Sequence, residues 1–136
     1  MKQRGRSGFT LLELLVVVII VGILATIAIP AFLRAMENAR AAEARAFLDT
    51  LKTAEEAYYQ EHQVYSGSFS DLVVDQPAAT STKHYFKYTL SSASGSTFTG
   101  TGTRKTTGDT GKSPNYTSAY TVTINQNGDL GGTGIP

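Results

Sequence analysis

The chain has 136 residues, 41% of them hydrophobic, with twelve Lys and Arg against eleven Asp and Glu. A length this small allows one modest domain, and a net charge of +1 is too weak a field to draw nucleic acid by itself. Cysteine is absent, which excludes disulfides and thiolate metal sites in any compartment. The charge is unevenly placed: Lys2, Arg4 and Arg6 precede Gly8, and the remainder carries nine basic against eleven acidic residues.

Phe9 to Ile29 is a run of 21 residues, 14 of them Leu, Ile or Val. As a helix it spans about 31 Å, close to the ~30 Å hydrocarbon thickness of a bilayer. Those aliphatic residues favour insertion by about 6 kcal/mol, against a cost of about 3 for one central carboxylate. Insertion wins, and Glu13 lies near one end of the run, where its cost falls. The leader is denser in positive charge than the segment bearing Arg34 and Arg40, so it should stay cytoplasmic and the rest should lie outside. An ordinary secretory signal is one alternative, but Thr26-Ile27-Ala28 is a weak cleavage match and Pro30 follows it awkwardly. A plain uncleaved anchor is another.

Glu13 raises a question, because an acid in lipid needs a partner and the apolar run offers no cation. A cut after Gly8 would supply one: a new α-amine on Phe9, one helical turn before Glu13. Two partners are then open to Glu13, the amine of its own chain and that of a neighbouring copy. The second choice rewards correct axial register, since leaving either group unpaired in low dielectric costs several kcal/mol.

Gly8-Phe9-Thr10-Leu11-Leu12-Glu13-Leu14, behind a short basic leader, resembles the prepilin motif of type IV pilins and pseudopilins. The resemblance implies cleavage after Gly8 by a prepilin peptidase and N-methylation of Phe9. It implies assembly of the chain into a homopolymer by pilus or type II secretion machinery of the inner membrane. It also implies the fold class, α+β: a long N-terminal helix, membrane-spanning in its first half, packed on a small antiparallel sheet as a type IV pilin-like roll. The expected organisation is a removed leader (1–8), a transmembrane and filament-core helix (9–32), an amphipathic helix (33–62) and a globular sheet domain (63–136).

Gly22 and Pro30 weaken the helix within this span. A mild kink is expected in the lone subunit, where the Thr26 hydroxyl is placed to satisfy a freed carbonyl. The resemblance adds a role in assembly, loss of helical order between Gly22 and Pro30 within filaments. Beyond Pro30, Ala44, Phe47, Leu48, Leu51, Ala54 and Tyr58 recur at helical spacing and mark one face. Arg45–Asp49 and Lys52–Glu56 are i,i+4 pairs on another. One helix from about Thr10 to Glu61 is predicted.

After an exit loop at 65–68 and an irregular stretch to Thr82, three segments alternate as strands. Phe86, Tyr88 and Leu90 form one inward set, Phe98 stands alone in the second, and Tyr120, Val122 and Ile124 form the third. Gln126 to Asp129 is a hairpin turn leading to a short last strand near Leu130. This sheet should lie on Phe47, Leu51 and Tyr58. Residues 104–116 read as a mobile outer loop whose Arg104, Lys105 and Lys112 form a small positive patch, a candidate contact for DNA or surfaces. Asn115-Tyr116-Thr117 matches a glycosylation sequon, a motif common by chance.

No metalloprotease, nucleophile-elbow or phosphate-loop motif is present, so no enzyme is expected and no cofactor. His62 and His84 are ordinary polar positions. Asn125, Asn127 and Asp129 offer oxygens at alternate positions, and some pseudopilins bind calcium near the C-terminus; turn chemistry explains the same residues. The resemblance leads to a pilus subunit serving adhesion, twitching motility or DNA uptake. It would wait in the inner membrane with its C-terminus outside and end in an extracellular filament. A type II secretion pseudopilin is the alternative, favoured slightly by the missing cysteines, and a secreted or anchored binding domain is the third. Minor pilins often lack the acid found at Glu13, which points to a polymerising subunit.

Overall fold

The computed structural model describes residues 8–93, 95–110 and 118–134. The sheet region expected at the C-terminal end is present, and one helix, α1 (Leu11–His62), precedes it. Two compact units divide the chain, Met1–Met36 and Glu37–Pro136.

In the first unit α1 carries the apolar run and buries none of it; Leu12, Ile20 and Leu24, for instance, are all exposed. The helix continues through Gly22 and Pro30. The Thr26 hydroxyl donates to the Ile23 carbonyl at 2.7 Å. It therefore serves the carbonyl three residues back, while Pro30 frees that of Thr26 itself.

In the second unit the rest of α1 packs on a four-stranded antiparallel meander, β1 (Phe86–Ala93), β2 (Thr97–Arg104), β3 (Thr121–Asn125) and β4 (Leu130–Thr133), in the spatial order of the sequence. The helix stops at His62, where Gln63 takes a left-handed φ of 59° and returns its N–H to the Tyr59 carbonyl. A 3-10 turn, Phe69–Asp71, is capped by the Ser68 side chain.

The inward faces of the strands follow the alternation in the sequence: Phe86, Tyr88, Phe98, Tyr120, Val122 and Ile124 are all buried. The helix stripe lies where expected and begins one turn earlier, at Ala41. Ala41, Ala44, Leu48 and Leu51 form its centre, while Phe47, Ala54 and Tyr58 flank the core half-buried. The stripe extends by the same 3–4 spacing to two buried acids, Glu37 at one end and Glu55 at the other.

Small residues let the helix approach β2. A Cβ on Gly100 would stand 2.6 Å from Leu51 Cδ2 and 3.2 Å from both Leu48 Cδ2 and Ile124 Cγ2. Its strand neighbours are Leu90 and Ile124. The weak alternation of TFTGTGT is therefore a packing signal, with Gly100 and Gly102 inward where large side chains lie opposite. On the outer face Thr101 pairs with Thr89 and Thr123, and Thr103 with Lys87 and Thr121.

Filling the Gly100 site should overpack this core. Gly100→Val is expected to cost about 1–3 kcal/mol, read from thermal unfolding of the detergent-solubilised chain. An unchanged midpoint would contradict the close approach of α1 to β2.

Candidate functional site: the helix start and the buried acids

The start of α1 places Gly8 and Phe9 in the open. Gly8 has no atom within 4 Å of its would-be Cβ, and Phe9 is exposed. Glu13 finds a partner that the sequence reading overlooked. Thr10 donates to Glu13 Oε2 from its backbone N–H at 2.9 Å and from its hydroxyl at 2.7 Å. The Glu13 N–H returns to Thr10 Oγ1 at 3.2 Å. This is a reciprocal capping box, and its Thr-x-x-Glu spacing was in the sequence to be read. The acid thus closes the helix start in a lone chain and keeps a lone pair for a cation brought from outside.

The second unit holds its charges differently. Glu37, at the first turn of the buried stripe, accepts Arg104 Nε at 3.0 Å and Arg104 Nη2 at 3.2 Å. Tyr120 Oη donates to the same carboxylate at 3.1 Å, and Arg40 pairs with it from one turn further along α1. Burial pushes the Glu37 carboxyl upward, but the hydrogen bonds from Arg104 and Arg40 prevail and hold it below the ordinary carboxylate value. Both guanidinium groups also lie over the Tyr85 ring, Arg40 at 5.0 Å and Arg104 at 5.2 Å from its centre.

These contacts correct the expected outer loop. Arg104 is the last residue of β2 and fully buried, because Glu37 demands a bidentate partner. Lys105 is buried too, with Nζ donating to the Ser81 carbonyl at 2.8 Å. Burial pulls its pKa down, against the pull of Asp109 and Glu43. Neither contributes a surface patch; Lys112 and the sequon at 115–117 lie outside the described residues. The Lys52–Glu56 pair forms as read, whereas Arg45 and Asp49 do not pair. Glu43 instead accepts the Tyr85 N–H at 3.1 Å and meets His84 Nδ1 at 3.2 Å.

Glu55 accepts one bond, from the Ser66 N–H at 2.9 Å, and its other oxygen has no partner. Ser66 in turn donates its hydroxyl to Asp71. Burial, with the nearby Asp71 charge adding to it, raises the Glu55 pKa despite the Ser66 bond. At the far turn, Asn125 Oδ1 accepts the N–H groups of Asn127 and Asp129, and its amide donates to Asp129. The Asn125 and Asp129 side chains thus close the turn, with Asn127 contributing its backbone N–H. Among the described residues no cluster of three or more His, Cys, Asp or Glu is placed to share a metal.

An apolar helix with an accessible Gly-Phe start and an acid at its first turn, followed by a helix-backed antiparallel meander, defines the pilin class of filament subunits. Residues 3–29 match the prokaryotic N-terminal methylation motif. Residues 30–115 match the family described as type IV minor pilin ComP, DNA uptake sequence receptor, and the chain belongs to that family of type IV pilins. Fimbrial protein EcpC of Eikenella corrodens is 34% identical over 79% of this chain and 69% of its own length. The type IV major pilin PilA of Myxococcus xanthus is 42% identical over 48% of this chain, a match that spans only 30% of that pilin. Type II secretion system core protein G of Aeromonas hydrophila is 35% identical over 58% of this chain and 57% of its own.

Two outcomes test the buried acids. Arg104→Met leaves Glu37 only Arg40 and Tyr120 and should cost about 1.5–3 kcal/mol in thermal unfolding. Glu55, with a raised folded pKa, stabilises fully below its ordinary value of 4.5 and progressively less as pH rises through the folded value. The stability gained by Glu55→Gln should therefore be small at pH 4 and grow toward pH 7. Glu37, lowered, has the opposite slope: its contribution is whole above 4.5 and lost as pH falls through its folded value.

Proposed function

We propose that the chain is a structural subunit of a type IV pilus, cut after Gly8, methylated on Phe9 and polymerised with copies of itself. The carrying observation is the pairing of an exposed Gly8-Phe9 start with a carboxylate one turn on, at the head of an apolar helix that buries nothing on its own. The freed Phe9 amine of one copy displaces the Thr10 donors from Glu13 of another, and the match sets their register. A prepilin peptidase and inner-membrane assembly machinery are the partners this requires. Before assembly the subunit spans the membrane with its C-terminus outside; afterwards it is part of an extracellular filament. No catalysis and no cofactor belong to this role.

The use of the filament, in adhesion, twitching or DNA uptake, follows from what decorates it. The family description names a DNA uptake receptor. Here, however, Arg104 and Lys105 are committed to internal partners, so a DNA contact would need other cations. The pseudopilin role keeps support from the likeness to the A. hydrophila secretion protein.

Filaments sheared from cells should consist of a chain beginning at Phe9 and about 14 mass units heavier for one methyl group. Glu13→Ala should leave membrane insertion intact and cut filament yield by about tenfold or more, the loss of a buried pair. Normal yield from that variant, or fibres whose subunit retains Met1, would refute the scheme.

A further inference from the structure

One surface of the second unit is built to receive something. Between the outer half of α1 and the loop after the 3-10 turn runs a groove of about 690 Å³. Its floor is apolar, with Ala54, Ala57, Tyr58 and Leu72, and Val73 at its rim is wholly exposed. Its polar lining is acidic. Asp49 and Glu61 are in no ion pair among the described residues, and Asp71 meets only the hydroxyl groups of Ser66 and Ser70. His62 is the one residue of the lining able to carry positive charge, and it is stacked on Tyr58 with Nδ1 at the Tyr58 carbonyl. An apolar groove with unpaired acids fits a segment that carries a cation beside large apolar side chains.

The chain itself supplies such a segment. Most cations of the described residues are spoken for: Arg40 and Arg104 by Glu37, Lys52 by Glu56, Lys87 by Asp109, Lys105 by Ser81. Among the described residues Arg34, Arg45 and Lys83 are in no ion pair. Arg45 is half-buried on the same helix as the groove, and Lys83 stands between Thr82 and His84. Only Arg34 follows two exposed large apolar residues, Phe32 and Leu33. Resting on the filament reading above, we propose that Phe32-Leu33-Arg34 of one copy docks in this groove of another, with Arg34 against Glu61.

The proposal fixes a distance. Ala57 stands 24 residues beyond Leu33, and Glu61 27 beyond Arg34, in the same helix. Two parallel copies in this contact are therefore staggered by about 36–40 Å along the filament, at the usual helical rise. The copy nearer the tip gives its foot to the outer half of a copy nearer the base. Such a contact covers two apolar residues that the lone chain leaves bare and pairs Glu61, an acid in no ion pair among the described residues.

Because the chain has no cysteine, introduced pairs report without background. Full-length Leu33→Cys/Ala57→Cys should give a ladder of disulfide-linked multimers in sheared, oxidised filaments, and each single variant only monomers. Independently, Arg34→Glu should lower filament yield about tenfold, and adding Glu61→Lys should restore most of it. Filaments of normal yield that give no ladder, or that tolerate Arg34→Glu, would overturn the docking and leave the pilus role standing. Wild-type cells without filaments would overturn both.

Discussion

The governing constraint is an apolar surface that one chain cannot cover. From Phe9 to Ile29 the helix presents its aliphatic side chains outward on every side, and none is buried. Water excludes such a surface at roughly 25 cal/mol per Å². It must lie in lipid or among copies of itself, and both demands fall on the same residues. The rest of the chain keeps that run available: its own core is completed by residues from Glu37 onward and takes nothing from the first half.

The second half meets the opposite demand with the same helix. A stripe of Ala and Leu, closed by an acid at each end, is covered by a meander whose central strand has glycines where the helix comes nearest. The two acids are satisfied unequally. Glu37 has a bidentate guanidinium and a phenol, which rewards ionisation. Glu55 has a single backbone donor and an acidic neighbour, which penalises it. One end of the stripe is locked as a charged pair, and the other is poised toward the neutral form.

Much of this was legible in the sequence. The apolar run, the single helix, the three alternating strands and the hairpin turn are local signals, and local signals fixed their places within a few residues. What escaped was long-range. Arg104 and Lys105 sit in a polar stretch and read as loop. Their burial depends on Glu37, 67 residues away, which no window of sequence connects to them. The stripe itself was legible, since each of its expected residues is buried in the core or packed against it; Ala41, which extends it toward Glu37, is too small to stand out by hydrophobicity. Thr-x-x-Glu is a four-residue capping pattern, but at the head of an apolar run the same acid also reads as a membrane liability, and only the structure shows which donors it takes.

The Glu37–Arg104 pair has a mechanical corollary. Within the second unit, a pull on α1 relative to the sheet is borne at this end of the stripe by that pair. The carboxylate passes the load to Arg104 and so to β2, an interior strand held on both sides by the ladders to β1 and β3. Two ladders loaded together resist more than an edge strand would, and β4, at the margin, is spared.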